Sequence, residues 1–531
     1  MNIKNKLIYV KNIMLPCLFL SLLVGVLTGI SVFIFKIVAS KIIYSSKYLY
    51  TFLNENKIYI IGGIVVVIFC SLISYLIYKY FKTTRGGGIP TSIGILRGLL
   101  HFKWLSTLIT TIFSSFITFF IGLPLGNEGP SVMIGTSLGR GVSRIGKKNK
   151  AWDRYIMTGG ACSGFTVATS SPISGIFFAL EEAHQRFSPM IIMSATASVM
   201  FSLLTMDILS SLTNFSFTLF LTLSVLKIDI AKVYLAMLIG ITMGLFAVLF
   251  SKMYDLSNII IKKIKIKKYF KFMFLFLITF LIGIYSYDFI STGHDLIEKL
   301  FNIKTTPSFY ILLLILLFRC IMTLTCNNEG VTGGLFIPTL TIGAIISSLL
   351  SLLFVKLNLI SDEYYQSLIA IGIACALASM IKTPITAIVF AIEALNSLNN
   401  ITFVIVGVAI SYIITEIFNV KSFNEQVIEN RVEKEHLNKK SMVIDTYIEV
   451  KKDSFVIGKT IRDIFWPNNL FVLSITHNEN VPIVDSGGSK TIHELDTLHI
   501  RFETYDLNET LDELFNLVGK QELKLTKSYK I

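Results

Sequence analysis

The sequence predicts an all-α polytopic membrane protein followed by a small β-rich cytosolic domain, and three observations carry that prediction. Of 531 residues, 53% are hydrophobic and only 15% charged, where an ordinary soluble domain carries charge on roughly a quarter. Apolar stretches of about 20 residues, enough to cross a ~30 Å hydrocarbon core, recur from the start, at residues 15–39, 58–81 and 104–123. Near residue 440 such runs give way to alternating apolar and polar residues broken by Gly and Asn.

The first stretch follows Lys4, Lys6 and Lys11 as a secretory signal would, but it is too long and lacks a small-residue cleavage site, so a retained membrane helix is expected. The net charge of +14 does not point to nucleic acid. Its basic residues gather in short loops between spans, at 147–150 and 262–271, a pattern that places those loops and the amino terminus in the cytoplasm and makes lipid the surrounding partner. Cys17, Cys70, Cys162, Cys320, Cys326 and Cys375 lie in or beside apolar segments with no CxxC pair and no metal-ligand spacing to His. They read as small buried hydrophobes, and no cofactor is expected. Without a nucleophile–base set or a metal cluster, an enzyme is not expected either.

Residues 1–430 form the expected membrane domain, 431–440 a charged linker and 441–531 the tail. The membrane part contains an internal repeat: Ser171-Pro172-Ile173-Ser174-Gly175-Ile176-Phe177-Phe178-Ala179-Leu180-Glu181 matches Thr383-Pro384-Ile385-Thr386-Ala387-Ile388-Val389-Phe390-Ala391-Ile392-Glu393. A second pair sets Gly126-Asn127-Glu128-Gly129-Pro130 beside Gly330-Val331-Thr332-Gly333-Gly334. Repeated halves with Gly- and Pro-interrupted helices are a transporter signature.

Three such breaks stand inside the membrane part: Gly86-Gly87-Gly88-Ile89-Pro90, Gly126 to Pro130, and Gly333-Gly334-Leu335-Phe336-Ile337-Pro338. A helix that starts after a break offers unpaired N–H groups and the positive end of its dipole, which favour an anion. Glycine admits the ion to the backbone, and proline suits the first turn, where no N–H is needed. Glu128 stands in the middle of the second break, and an ionisable residue at membrane depth is a functional hypothesis by default. Its carboxylate can occupy the anion's own position and, once protonated, swing away. That competition couples proton movement to anion movement. Further acidic candidates are Glu181 and Glu182, Glu329 ahead of the third break, and Glu393. Arg319, within an apolar stretch, is expected to pair with one of these acids or with a helix carboxyl end.

At these motifs the chain resembles the chloride channel (CLC) family, whose GSGIP, GxEGP and GxFxP patterns are met here by GGGIP, GNEGP and GLFIP. The resemblance covers about residues 12–430. It implies a homodimer with one pore per subunit, each built of two inverted halves with re-entrant and broken helices. Residue by residue, it makes Glu128 the gating glutamate and Glu182 the inner proton glutamate; Glu329, an unusual acid beside Thr332 that departs from the family pattern, joins them as a candidate for gating and proton transfer. Anion binding would fall to Gly87, Gly88, Ile89, Pro90, Gly126, Asn127, Gly129, Pro130 and Gly334, to the amides of Phe336 and Ile337, and to Asn424 where the family places a tyrosine. An acid at both positions favours a coupled antiporter over a passive channel. The coordinating serine of GSGIP is Gly87 here, Asn127 replaces the basic residue of GREGP, and Thr332 replaces a proline. These departures resemble the bacterial fluoride/proton antiporter branch and favour fluoride over chloride as the halide.

Strands are expected at 443–450, 470–475 and 497–502. With Ser454 to Ile461 and Leu495-Asp496-Thr497-Leu498, the tail resembles the carboxy-terminal TrkA (RCK-C) domain. That implies either a cytosolic sensor of a small ligand or a dimerisation module. A membrane-anchored ligand sensor is the alternative from another class.

Overall fold

The computed structural model describes residues 14–86, 88–146, 150–215, 218–220, 223, 225–436, 441–452, 454–477, 488–521 and 525–530. Gly87, Lys4, Lys6, Lys11, Lys147, Lys148 and residues 437–440 of the expected linker lie outside them. Eight helices come first among these residues: α1 (Leu15–Glu55), α2 (Ile60–Tyr80), α3 (Ile89–Leu96), α4 (Trp104–Ile121), α5 (Glu128–Ile145), α6 (Lys150–Thr169), α7 (Pro172–Phe177) and α8 (Pro189–Thr213). Eight more follow in the same order of long and short: α9 (Val233–Lys263), α10 (Lys268–Tyr285), α11 (His294–Leu300), α12 (Phe309–Glu329), α13 (Phe336–Lys356), α14 (Tyr365–Ala376), α15 (Pro384–Glu393) and α16 (Ile401–Ile417). Then comes α17 (Phe423–His436). Ten helical segments among the described residues are long and apolar enough to cross a membrane.

The repeat is legible in the bonds between the halves. Glu181 accepts from the amides of Ile385 and Thr386 at 2.9 and 2.8 Å and from the Thr386 hydroxyl at 2.7 Å, capping α15. Glu393 returns the arrangement at α7, accepting from the amides of Ile173 and Ser174 at 2.8 and 2.9 Å and from the Ser174 hydroxyl at 2.7 Å. Each half closes the first turn of the other's short helix, whose N–H groups have no partner of their own. At the second motif the register differs from the expected pairing. Gly122 and Gly330 end α4 and α12 in the left-handed conformation. Four residues on, Gly126 and Gly334 exchange two backbone hydrogen bonds of 2.7 and 2.8 Å as an isolated antiparallel bridge. The counterpart of Gly126 is therefore Gly334, each two residues ahead of its helix. An antiparallel exchange between equivalent residues is what an inverted pair of halves produces.

Arg319 donates to the carbonyl oxygens of Asp288, Ile290 and Ser291. It thus closes the end of a short 3-10 turn at Tyr287–Phe289.

The tail is a four-stranded antiparallel sheet, order β2-β3-β1-β4, of β1 (Met442–Glu449), β2 (Leu470–Thr476), β3 (Thr497–Thr504) and β4 (Leu525–Lys530), with α18 (Leu507–Val518) beside it. It rests on α6. Arg154 donates to the Trp466 carbonyl at 2.9 Å and pairs with Glu513 at 3.2 Å, and the Tyr155 hydroxyl donates to the Asp463 carbonyl at 2.6 Å. Lys459 is buried in this interface over the ring of Phe455, its ammonium without a hydrogen-bond partner among the described residues. Burial holds its pKa well below the ordinary lysine value. A depressed lysine makes the docked state take up fewer protons than the undocked one, so docking strengthens as pH rises toward the free lysine pKa of about 10.4 and weakens as it falls. Lys459→Met is expected to stabilise the tail by about 1–3 kcal/mol, the cost of an unsatisfied buried group, and to flatten that pH slope. Thermal unfolding followed through the fluorescence of Trp152 and Trp466 checks both; a variant that melts earlier with an unchanged slope would remove Lys459 from the interface energetics.

Candidate functional site

Glycine and proline place three helix ends together. α3, α5 and α13 start at Ile89, Glu128 and Phe336, the starts the three breaks predict. Pro130 and Pro338 are the third residues of their helices and Pro90 the second, where a missing N–H costs nothing. The first amides bonded within the helix turns are those of Ser92, Ser131 and Thr339. The amides ahead of them, including those of Ile89, Glu128, Gly129, Phe336 and Ile337, belong to the orphan set of a helix start.

The ends meet backbone to backbone. A Cβ on Gly129 would lie 2.5 Å from Gly334 Cα and 3.0 Å from Gly88 Cα, and a Cβ on Gly88 2.9 Å from Gly129 Cα. Gly88 also holds φ +125°, which L side chains avoid. Three positive dipole ends therefore converge where one Cβ would keep them apart.

Into this point reaches Glu128. Its residue is fully buried, and among the described residues neither carboxylate oxygen has a hydrogen-bond partner of good geometry. The amides of Glu128 itself and of Ile337 are the donors beside it. A Cβ on Gly126 would lie 2.5 Å from Glu128 Oε2, so the glycine also makes room for the carboxylate. Ile337 is thus brought to Glu128, with Asn127 as the residue preceding α5.

One charged neighbour escaped the reading of the sequence. Lys36, in the middle of α1, is buried and donates to the carbonyls of Val167 and Ala168 at 3.0 and 2.8 Å, at the carboxyl end of α6. It lies within electrostatic reach of Glu128. A lysine alone in a 15–39 apolar stretch was signal enough.

Glu182 sits in a π-helical turn, Phe178–Ala183, a feature that favours functional positions. It is buried, and the Asn424 amide donates to its carboxylate. Asn424 is thereby brought to the inner acid. Arg97 fixes the turn, donating to the carbonyls of Glu182 and Ala183 at 2.9 Å each and pairing with Glu425 at 2.7 Å. A chain of aromatic rings links the turn that carries Glu182 to the start of α13. Phe178 stacks on Phe165 at 5.3 Å, Phe165 meets Phe336 edge-on at 5.1 Å, and Phe336 meets Phe390 edge-on at 5.4 Å.

Glu329 is neutralised by two lysines: Lys268 donates to it, and Lys271 lies 3.5 Å away. The Thr332 hydroxyl donates to the Thr84 carbonyl at 3.0 Å, and its own carbonyl accepts from Thr118 at 2.8 Å, so it ties α4 to the segment ahead of α3. Beside α3 opens a cavity of about 1070 Å³ lined by Gly86, Thr91, Arg97, Glu329 and Arg431, and also by tail residues including Tyr505 and Glu509.

A model described as voltage gated chloride channel matches residues 67–416. The H(+)/Cl(-) exchange transporter ClcA of Vibrio cholerae serotype O1 is 26% identical over 394 residues, 72% of this chain and 82% of that protein. Solved structures share the fold. That of a slow cyanobacterial Cl-/H+ antiporter superposes with a TM-score of 0.73 at 20% identity, covering 79% of this chain and 99% of the other. That of a CLC-type fluoride/proton antiporter superposes with a TM-score of 0.62 at 19% identity, covering 76% and 96%. With its broken helices, its ten apolar helical segments and a family match over most of its length, the chain is a multi-pass membrane protein that belongs to the voltage gated chloride channel (CLC) family.

Proposed function

We propose that the protein is a secondary active antiporter that exchanges a halide for protons. The observation that carries this is the buried Glu128 carboxylate, set among three helix amino termini, where an anion would be held by the same donors. A carboxylate there competes with the halide for one site. Taking up a proton removes its charge and frees the site, so anion and proton exchange places. Glu182 is the second acid, delivering protons from the inner side, positioned by Arg97 and Asn424. Glu329, held by its lysines, anchors α10 to the end of α12.

Fluoride is the halide we favour. Gly87 and Asn127 leave out a hydroxyl and a basic side chain, and a small, strongly hydrated, more basic anion needs a different donor set. Chloride is the second reading, favoured by the Vibrio cholerae exchanger among the relatives. Lys262, beside the basic loop between α9 and α10, lies 3.7 Å from Glu433 of α17, which under the positive-inside rule supports a cytoplasmic tail, and in this reading both termini are cytoplasmic. The tail acts there as a TrkA-C-like regulatory module from about residue 441, and two chains form the dimer.

Flux from proteoliposomes, with fluoride, chloride and pH electrodes in parallel, tests the exchange. Fluoride efflux well above chloride, driving uphill proton movement, is expected; faster chloride flux assigns chloride, and absence of proton movement makes the protein a channel. In the same assay Glu182→Gln is expected to cut proton movement by about 100-fold, the lower range for loss of a positioned proton-transfer group, while halide flux continues. Unchanged coupling in that variant would take Glu182 off the proton path.

A further inference from the structure

At one end of the tail sheet, three side chains that transport does not use come together. His477 follows directly on β2, and His493 and Asp496 lie in the turn leading into β3. Their ligand-capable atoms all lie within 4.8 Å of one another. His477 Nδ1 is 2.5 Å from Asp496 Oδ1, and His493 Nδ1 is 3.8 Å from Asp496 Oδ2. The two imidazoles meet edge to face with centroids 5.3 Å apart. Asp496 is buried, His477 half-buried and His493 exposed, so the site has one fixed wall and one side open to an entering ion.

The donor set selects the ligand. Two imidazoles and one carboxylate suit a borderline divalent transition ion, whereas Mg²⁺ and Ca²⁺ take shells of oxygen. Zn²⁺ binds such ligands at about 2.0–2.2 Å, which sets them about 3.3 Å apart around a tetrahedron. The present spacing reaches that by rotation of the exposed His493 ring and a small retreat of His477 from Asp496. The carboxylate is already oriented from behind, because the His493 backbone N–H donates to its Oδ2 at 2.6 Å. Such an outer hydrogen bond typically accompanies a metal-binding carboxylate. We propose that His477, His493 and Asp496 bind a divalent transition-metal ion, Zn²⁺ being the expected occupant, with water completing the shell.

The site adjoins the docking surface. Just ahead of His493, the Lys490 and Ile492 carbonyls accept from the amides of Ile461 and Gly458 at 3.2 and 2.9 Å, and the Ile492 amide donates to the Lys459 carbonyl at 3.0 Å. Residues 458–461 belong to the segment that carries Lys459 and leads to Asp463 and Phe465 against Tyr155. An ion that ties the end of β2 to this turn therefore stiffens the tail where it grips the membrane part.

The test uses the purified full-length chain, stripped with chelator and titrated with Zn²⁺ by calorimetry and with Co²⁺ by absorption. Expected are one ion per chain, an affinity lower by at least about 10-fold in both His493→Ala and His477→Gln, and a Zn²⁺-dependent rise in tail melting temperature that both variants lose. His493 is exposed, so its replacement does not endanger the fold. Failure to bind Zn²⁺ stoichiometrically, or wild-type affinity in both variants, would overturn the assignment.

Discussion

Glu128→Gln is expected to abolish proton movement while leaving passive halide flux in place. Glutamine keeps the shape of a protonated glutamate and cannot release a proton, so it holds the gate in one of its two forms. The donors beside the carboxylate it replaces, the amides of Glu128 itself and of Ile337, can still meet the glutamine's amide oxygen, and the helix starts keep their places. What disappears is the negative charge that alternates with the halide. Reconstituted variant protein should show no uphill proton transport against a halide gradient for fluoride or for chloride. Persistent proton pumping would mean that the proton takes a path that avoids Glu128.

Gly129→Ala and Gly334→Ala carry the second large effect. Each added methyl group would meet backbone, Gly334 Cα at 2.5 Å in the first case and Gly129 N at 2.7 Å in the second. Backbone cannot rotate aside, so the starts of α5 and α13 must separate. The cost in stability is that of an overpacked core, about 1–3 kcal/mol, and folded protein should still be recovered. The cost in transport is larger, because donors displaced by even 1 Å lose about 100-fold in comparable positioned sites. Gly62→Ala is the matched control, since nothing lies within 4 Å of its added Cβ. Halide flux within a few-fold of wild type in both core variants would show that the ion is not held by this convergence.

The readability of the chain followed its punctuation. The starts of α3, α5 and α13 could be read because glycine and proline mark them, and β1, β2 and β3 because period-2 alternation does. The register between the halves could not, since Gly126 has glycines both at 330 and at 334 to match and only the exchanged backbone bonds choose between them. α1 runs past residue 39 through Lys41, Ser45, Ser46 and Lys47 because its far end is packed: the Tyr50 hydroxyl donates to the Ile121 carbonyl at 2.7 Å, and Lys47 pairs with Asp295. Lys36 was hidden by averaging, one charge hardly altering the hydropathy of its stretch. α18 carries a start signal of its own. Asp506 accepts from the Glu509 amide at 3.3 Å, and Leu511, Leu514 and Val518 then recur at helical spacing.

The exchange of caps between Glu181 and Glu393 bears on how the protein is made. The chain enters the membrane amino end first, and the carboxylate that closes α7 lies more than two hundred residues downstream in the sequence. Until that glutamate is inserted, the amides of Ile173 and Ser174 must be satisfied by water or by the insertion machinery, since lipid offers them nothing. The first half therefore cannot complete its own structure during synthesis, and neither half would be a sound protein if cut from the other. A duplication that began with two equal copies has, through two carboxylates, become a single indivisible chain.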